Sequence, residues 1–102
     1  MSMNATRLKA IDELRRMVLA ALGDHDAEVW LFGSCARDDT RQHSDIDIAI
    51  LPREALPSGF FVKLDADIEE SAIPYDVDVV DLSRAERTFV EAVRREGVLW
   101  RR

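Results

Sequence analysis

The sequence predicts an α/β fold, a mixed β-sheet of about four strands packed with α-helices. Three observations lead there. Leu8–Leu22 and Phe60–Ile68 repeat apolar residues three and four apart, the period of a helix with one buried face. Val29–Phe32, Asp45–Leu51 and Tyr75–Leu82 are short runs rich in β-branched, aromatic or alternating apolar residues, which read as strands. A helical stretch lies between the second and third of these runs, and such a crossover joins parallel strands.

In the first helix, Leu8, Ile11, Leu14, Val18 and Leu22 form the apolar face, with Arg7, Glu13 and Arg16 on the wet side. Asn4 or Thr6 is placed to cap its start, and Gly23 suits its end. Gly23-Asp24-His25-Asp26 turns the chain into the Val29–Phe32 strand, with His25 in a surface ion pair with its acidic neighbours. That strand closes on Gly33-Ser34. Ser34 can cap a short helix running through Cys35 and Ala36 to Arg37. The free N–H groups of such a helix start, backed by its dipole, attract phosphate, and Gly33 lets one approach the backbone. Cys35 reads as a small helix-start residue. Arg37 and Arg41 can meet a triphosphate through the guanidinium fork, or they can neutralise Asp38 and Asp39. His43 is a solvated loop residue, and Ser44 can orient a following carboxylate.

Asp45 and Asp47 stand two apart at the start of the second strand, so both point to one face. Strands disfavour Asp, and neighbouring carboxylates repel. A hard divalent cation turns that repulsion into attraction. If the Gly-Ser turn and this acidic pair form one site, the end of the first strand adjoins the start of the second. The two strands are then antiparallel. Pro52 stops the second strand. Ser58 can cap the next helix, where Phe60 or Phe61, Leu64 and Ile68 form the apolar stripe. One of the two phenylalanines is left to face a partner, and Pro74 forbids continuation. In Tyr75–Leu82, Asp76 and Asp78 share one face, Val77 and Val79 pack on the other, and Asp81 points away from the two acids. Ser83-Arg84-Ala85-Glu86 has the form of a capping box. It opens a helix with Ala85, Phe89 and Val93 on one side. Gly97 ends that helix, and Val98-Leu99-Trp100 makes a last short strand.

Gly33-Ser34, ten intervening residues and Asp45-x-Asp47 resemble the signature of the nucleotidyltransferase superfamily related to DNA polymerase beta. From about Val29 to Trp100 the chain is similar to the minimal nucleotidyltransferases, which implies their palm-like fold. The family's third acid lies in a Val-Asp-hydrophobic-Val-Asp-Leu strand. Val77-Asp78-Val79-Val80-Asp81-Leu82 matches it, so the role passes to Asp78, with Asp76 as rival on the same face. The resemblance implies Asp45, Asp47 and Asp78 as catalytic and metal-binding residues, and Gly33, Ser34 and Arg37 as nucleotide-binding ones. It further implies Mg²⁺ as two ions and ATP as donor. Two metals beside three carboxylates suit nucleotidyl transfer, one on the triphosphate and one on the attacking hydroxyl. Many members have glycine after Arg37, where this chain has Asp38.

Minimal members often act as antitoxins with a HEPN-domain ribonuclease. The resemblance thus implies AMP transfer to a tyrosine hydroxyl of a HEPN toxin. The alternatives are a non-catalytic antitoxin acting by stoichiometric binding, and transfer to a small-molecule hydroxyl. At 102 residues, with 47% hydrophobic and 33% charged residues, positions 1–102 read as one globular domain. A formal charge of −6 argues against nucleic acid as a direct partner. No run of membrane-spanning length and no signal-peptide pattern is present, and a single cysteine fits the cytoplasm.

Overall fold

The computed structural model of the chain describes residues 5–32 and 46–102. Helix α1 (Ala5–Leu22) leads into β1 (Ala27–Phe32), and β2 (Ile46–Pro52) leads through α2 (Phe60–Glu70) to β3 (Val77–Asp81). A 3₁₀ turn at Leu82–Arg84, helix α3 (Arg87–Glu96) and β4 (Val98–Arg101) complete the order. The four strands form one sheet in the order β3-β2-β1-β4. Strand β1 is antiparallel to both β2 and β4, whereas β2 and β3 are parallel. The mixed sheet and both expected pairings among β1, β2 and β3 are therefore present.

Strand alternation divides the core into two. Ile46, Ile48, Ile50 and Val29 pack with Leu14, Val18 and Leu22 of α1 and Leu64 and Ile68 of α2. On the opposite face Ala49 packs with Leu82 and with Val93 of α3, flanked by Trp30, Phe32, Val80 and Phe89. Three layers result, with the sheet in the middle. Val77 and Val79 join the first core as expected, and Ala85, Phe89 and Val93 share the second.

Several expected details are corrected. Leu8 is 52% exposed, and Ala10 is buried in line with Leu14, Val18 and Leu22. Two residues of helix rotate a side chain by about 200°, so Leu8 cannot share the face of Ala10. Thr6 lies inside α1 and so does not cap it, while Asn4 is outside the described residues. At the start of α2 the cap is Gly59, at φ 77, with no side-chain cap bond, so Ser58 is one position too early. Phe60 and Phe61 both pack against the first core and meet edge to face at 5.3 Å, so neither is left over for a partner. Helix α2 stops at Glu70, before Pro74 can act; Ser71 turns extended and its hydroxyl donates to the Ile68 carbonyl. Ser83 does not open a capping box. Asp81 reaches it first: the Asp81 Oδ1 accepts from the Ser83 N–H at 3.0 Å and from its hydroxyl at 2.6 Å, which tightens the 3₁₀ turn. Helix α3 then starts after Glu86, with no side-chain cap.

Two glycines have physical reasons. Gly23 follows α1 at φ 55, a left-handed stop that other residues resist. Gly97 joins α3 to β4 at close quarters. A Cβ there would sit 2.7 Å from the Val93 carbonyl oxygen and 3.1 Å from that of Leu31.

Candidate functional site

The acids gather at one end of the sheet, where β1 finishes and β2 and β3 begin. Asp47 is the second residue of β2, between Phe32 on β1 and Asp78 on β3, its two register partners. It is 2% exposed, the one buried charged side chain among the described residues. A carboxylate held so far from water is costly unless something else stabilises its charge. Asp78 is half-buried at the neighbouring register position. Asp76 is exposed and precedes β3; its carbonyl accepts the Ile46 N–H at 3.1 Å. The structure thus brings Asp47 and Asp78 side by side and places Asp76 outside the strand ladder. Asp45, Gly33, Ser34 and Arg37 lie outside the described residues, as do Cys35, Asp38, Asp39, Arg41, His43 and Ser44. Among the described residues no three potential metal ligands form a cluster.

The acidic field extends to α2. The Asp65 carboxyl is pushed above its ordinary value by burial, then by the charges of Asp78 and Glu69. Nothing in the sequence pattern singles out Asp65, which lies between apolar positions of a helix.

The Asp47 face has a second charged fixture that sequence reasoning missed. Glu28 on β1 accepts from the Arg94 guanidinium of α3 through Nε at 3.2 Å and Nη2 at 2.9 Å, a bidentate pair. The Trp30 indole N–H donates to the same carboxylate at 3.1 Å, and an Arg53 nitrogen stands 3.8 Å away. Burial alone raises the Glu28 pKa, but the Arg94 and Trp30 hydrogen bonds and the two cations outweigh it and hold the group below its ordinary value. The available signal was an acid at alternating spacing with Trp30 and Phe32. Nearby, the Phe32 ring meets Phe89 of α3 edge to face at 5.9 Å. These contacts fix α3 over the strand that supports Asp47.

Elsewhere, His25 does form a surface ion pair, but with Glu54 at 2.8 Å rather than with its sequence neighbours. Asp81 faces away from the acids and serves the turn that follows.

The polymerase beta nucleotidyltransferase family matches residues 25–100, and the chain belongs to it. It is similar to the probable protein adenylyltransferase MntA of Haemophilus influenzae, with 33% identity over 74 residues, 72% of this chain and 65% of that protein. It thus spans slightly under two thirds of that relative. Its fold matches a chain in the solved structure of the tri-AMPylated Shewanella oneidensis HEPN toxin in complex with MNT antitoxin. There the TM-score is 0.64 and the identity 26%, over 93% of this chain and 71% of that one. A chain in a crystal structure of a toxin–antitoxin with AMP-PNP matches with a TM-score of 0.57 and 31% identity, over 84% of this chain and 71% of that one. Among the described residues, no helix is long and apolar enough to cross a membrane.

Proposed function

We propose that this chain is a Mg²⁺-dependent protein adenylyltransferase, the antitoxin of a toxin–antitoxin pair, which transfers AMP from ATP to a tyrosine hydroxyl of a HEPN-domain toxin. The observation that carries this reading is the register pairing of buried Asp47 with Asp78 in a chain of the nucleotidyltransferase family. The AMPylated HEPN toxin and the AMP-PNP complex of the similar structures supply the acceptor and donor classes.

In this reaction the tyrosine oxygen attacks the α-phosphorus and pyrophosphate leaves, so the protein contributes mainly position and charge. Asp45, Asp47 and Asp78 are the proposed catalytic and metal-binding residues, and Gly33, Ser34 and Arg37 the proposed nucleotide-binding ones. The donor set fits Mg²⁺: carboxylate oxygens are the hard ligands it takes, and two are already adjacent in Asp47 and Asp78. Asp45, Asp47 and Asp78 would hold the metal, proposed as two ions. When bound, it neutralises the triphosphate and acidifies the attacking hydroxyl. Asp47 is fixed by strands on both sides, which keeps its carboxylate from following solvent. In this reading Asp78, on the sheet's outer strand, holds the acceptor hydroxyl and takes its proton. Residues 1–102 are proposed to work as one domain in the cytoplasm, where the lone Cys35 stays reduced.

The test is incubation of the purified chain and its HEPN partner with α-labelled ATP and Mg²⁺. Label on the partner is expected. A complex that forms without label on the partner would refute transfer. Neutralisation in cells by the Asp47→Asn, Asp78→Asn double variant separates the stoichiometric antitoxin from the enzyme, since only a binding module keeps its effect.

A further inference from the structure

Strand β4 ends the sheet beside β1. Its inner side pairs through Leu31–Val98, Trp30–Leu99 and Val29–Arg101, with a register shift between the last two pairs. Its outer side has no strand partner among the described residues. An open edge offers main-chain donors and acceptors to another chain, and proteins commonly blunt such edges with proline, lysine or a covering helix. Here the edge instead shows two apolar side chains, Val98 at 57% and Leu99 at 37% exposure. By alternation they lie on opposite faces of the sheet, so an added strand would meet apolar contact above and below.

Charge indicates which strand would fit. The chain carries −6 overall, yet residues 84–102 hold six arginines against three glutamates. Arg94 is neutralised by Glu28, and Arg101 donates to the His25 carbonyl at 3.0 Å. Arg95, in the last turn of α3 shortly before β4, and Arg102, directly after it, remain exposed, Arg95 with a weak 3.7 Å pairing to Glu96. Strand β4 itself carries no acid, so a second copy joined edge to edge would offer these arginines no opposite charge from its own β4. An acidic strand gains on both counts.

We propose that the outer edge of β4 receives an extended acidic segment of a partner protein as a fifth strand. Main-chain hydrogen bonds supply affinity, Val98 and Leu99 each contact an apolar side chain on their own face of the sheet, and the exposed arginines before and after β4 select for acid. This surface is independent of the transfer chemistry, and its test requires neither ATP nor metal.

The probe is a fluorescein-labelled ten-residue peptide in which pairs of valines alternate with pairs of glutamates, so that both faces carry apolar and acidic side chains, compared with the same peptide carrying lysine for glutamate. Fluorescence anisotropy with the full chain is expected to show binding of the acidic peptide and at least tenfold weaker binding of the lysine peptide. The Arg95→Glu, Arg102→Glu double variant, checked for an unchanged melting temperature, is expected to weaken acidic-peptide binding at least tenfold. Amide hydrogen exchange in the complex is expected to slow at Val98–Arg101. Absent binding, equal binding of the lysine peptide, or protection confined to other residues would overturn the proposal. Self-association abolished by Leu99→Glu would assign the edge to a second copy instead, and displacement of the peptide by oligouridylate would assign it to nucleic acid. Either result overturns it too.

Discussion

Asp47 and Asp78 occupy the same register position on adjacent parallel strands, with Asp47 buried and Asp78 half-buried beside it. The pairing puts two carboxylates where a sheet ordinarily puts two apolar side chains. It also ranks the acids of β3, because Asp76 precedes the strand and is exposed.

Asp78→Asn is therefore expected to lower adenylyl transfer by at least a hundredfold, whereas Asp76→Asn leaves it within about threefold of wild type; these bounds follow from losing a charge at the reacting group against losing one beyond it. Steady-state rates of labelled AMP transfer check both. Equal losses would remove the distinction that the register draws.

Divalent cation is expected to stabilise the fold through the same acids. A ligand that binds only the native state raises stability by RT ln(1 + [L]/Kd), about 2.7 kcal/mol at a hundredfold excess over Kd. Thermal melts with and without millimolar Mg²⁺ should show a rise for wild type and a much smaller one for Asp47→Asn. An undiminished rise in the variant would place the cation elsewhere.

Gly97→Ala should destabilise without touching the acids. Its new Cβ would lie 2.7 Å from the Val93 carbonyl oxygen, a backbone atom that cannot swing aside. Overpacking of this kind costs about 1–3 kcal/mol, and each kcal/mol lowers the melting temperature of a chain this size by roughly 4–8 °C. Calorimetry checks it.

The Glu28 cluster gives stability a pH dependence of known sign. Its pKa in the folded chain lies below the ordinary 4.5, so its contribution is complete above 4.5 and is lost as the pH falls through the lower folded value. Glu28→Gln should be less stable than wild type at neutral pH, with the difference shrinking below pH 4.5. Glu28→Ala, which leaves Arg94 and Trp30 without their acceptor, should lose about 1–3 kcal/mol at neutral pH. Urea melts across the range measure both, and comparison with wild type cancels the Glu54–His25 pair, which also draws on acid titration.

The strands and helices were legible in the sequence because burial imposes a period on it. Leu14, Val18, Leu64, Ile68 and the isoleucines of β2 all occupy the positions their spacing indicates. The acids were legible for the opposite reason: Asp47 and Asp78 interrupt strands that have no structural use for them. Helix starts were the weak point. Ser58 and Ser83 have the chemistry of caps, but a left-handed Gly59 and an upstream Asp81 decide those turns, and local composition does not rank such competitors. Glu28 with Arg94 was hidden because its partner lies 66 residues away, a pairing set by how α3 crosses the sheet.

The central claim is that these acids drive transfer of AMP to a protein hydroxyl. Tandem mass spectrometry of the proposed HEPN partner, after incubation with this chain, ATP and Mg²⁺, tests it most directly. The account predicts one or more AMP-modified tyrosines with wild type and none with Asp47→Asn or Asp78→Asn. An unmodified partner with wild type, or equal modification with both variants, would contradict it.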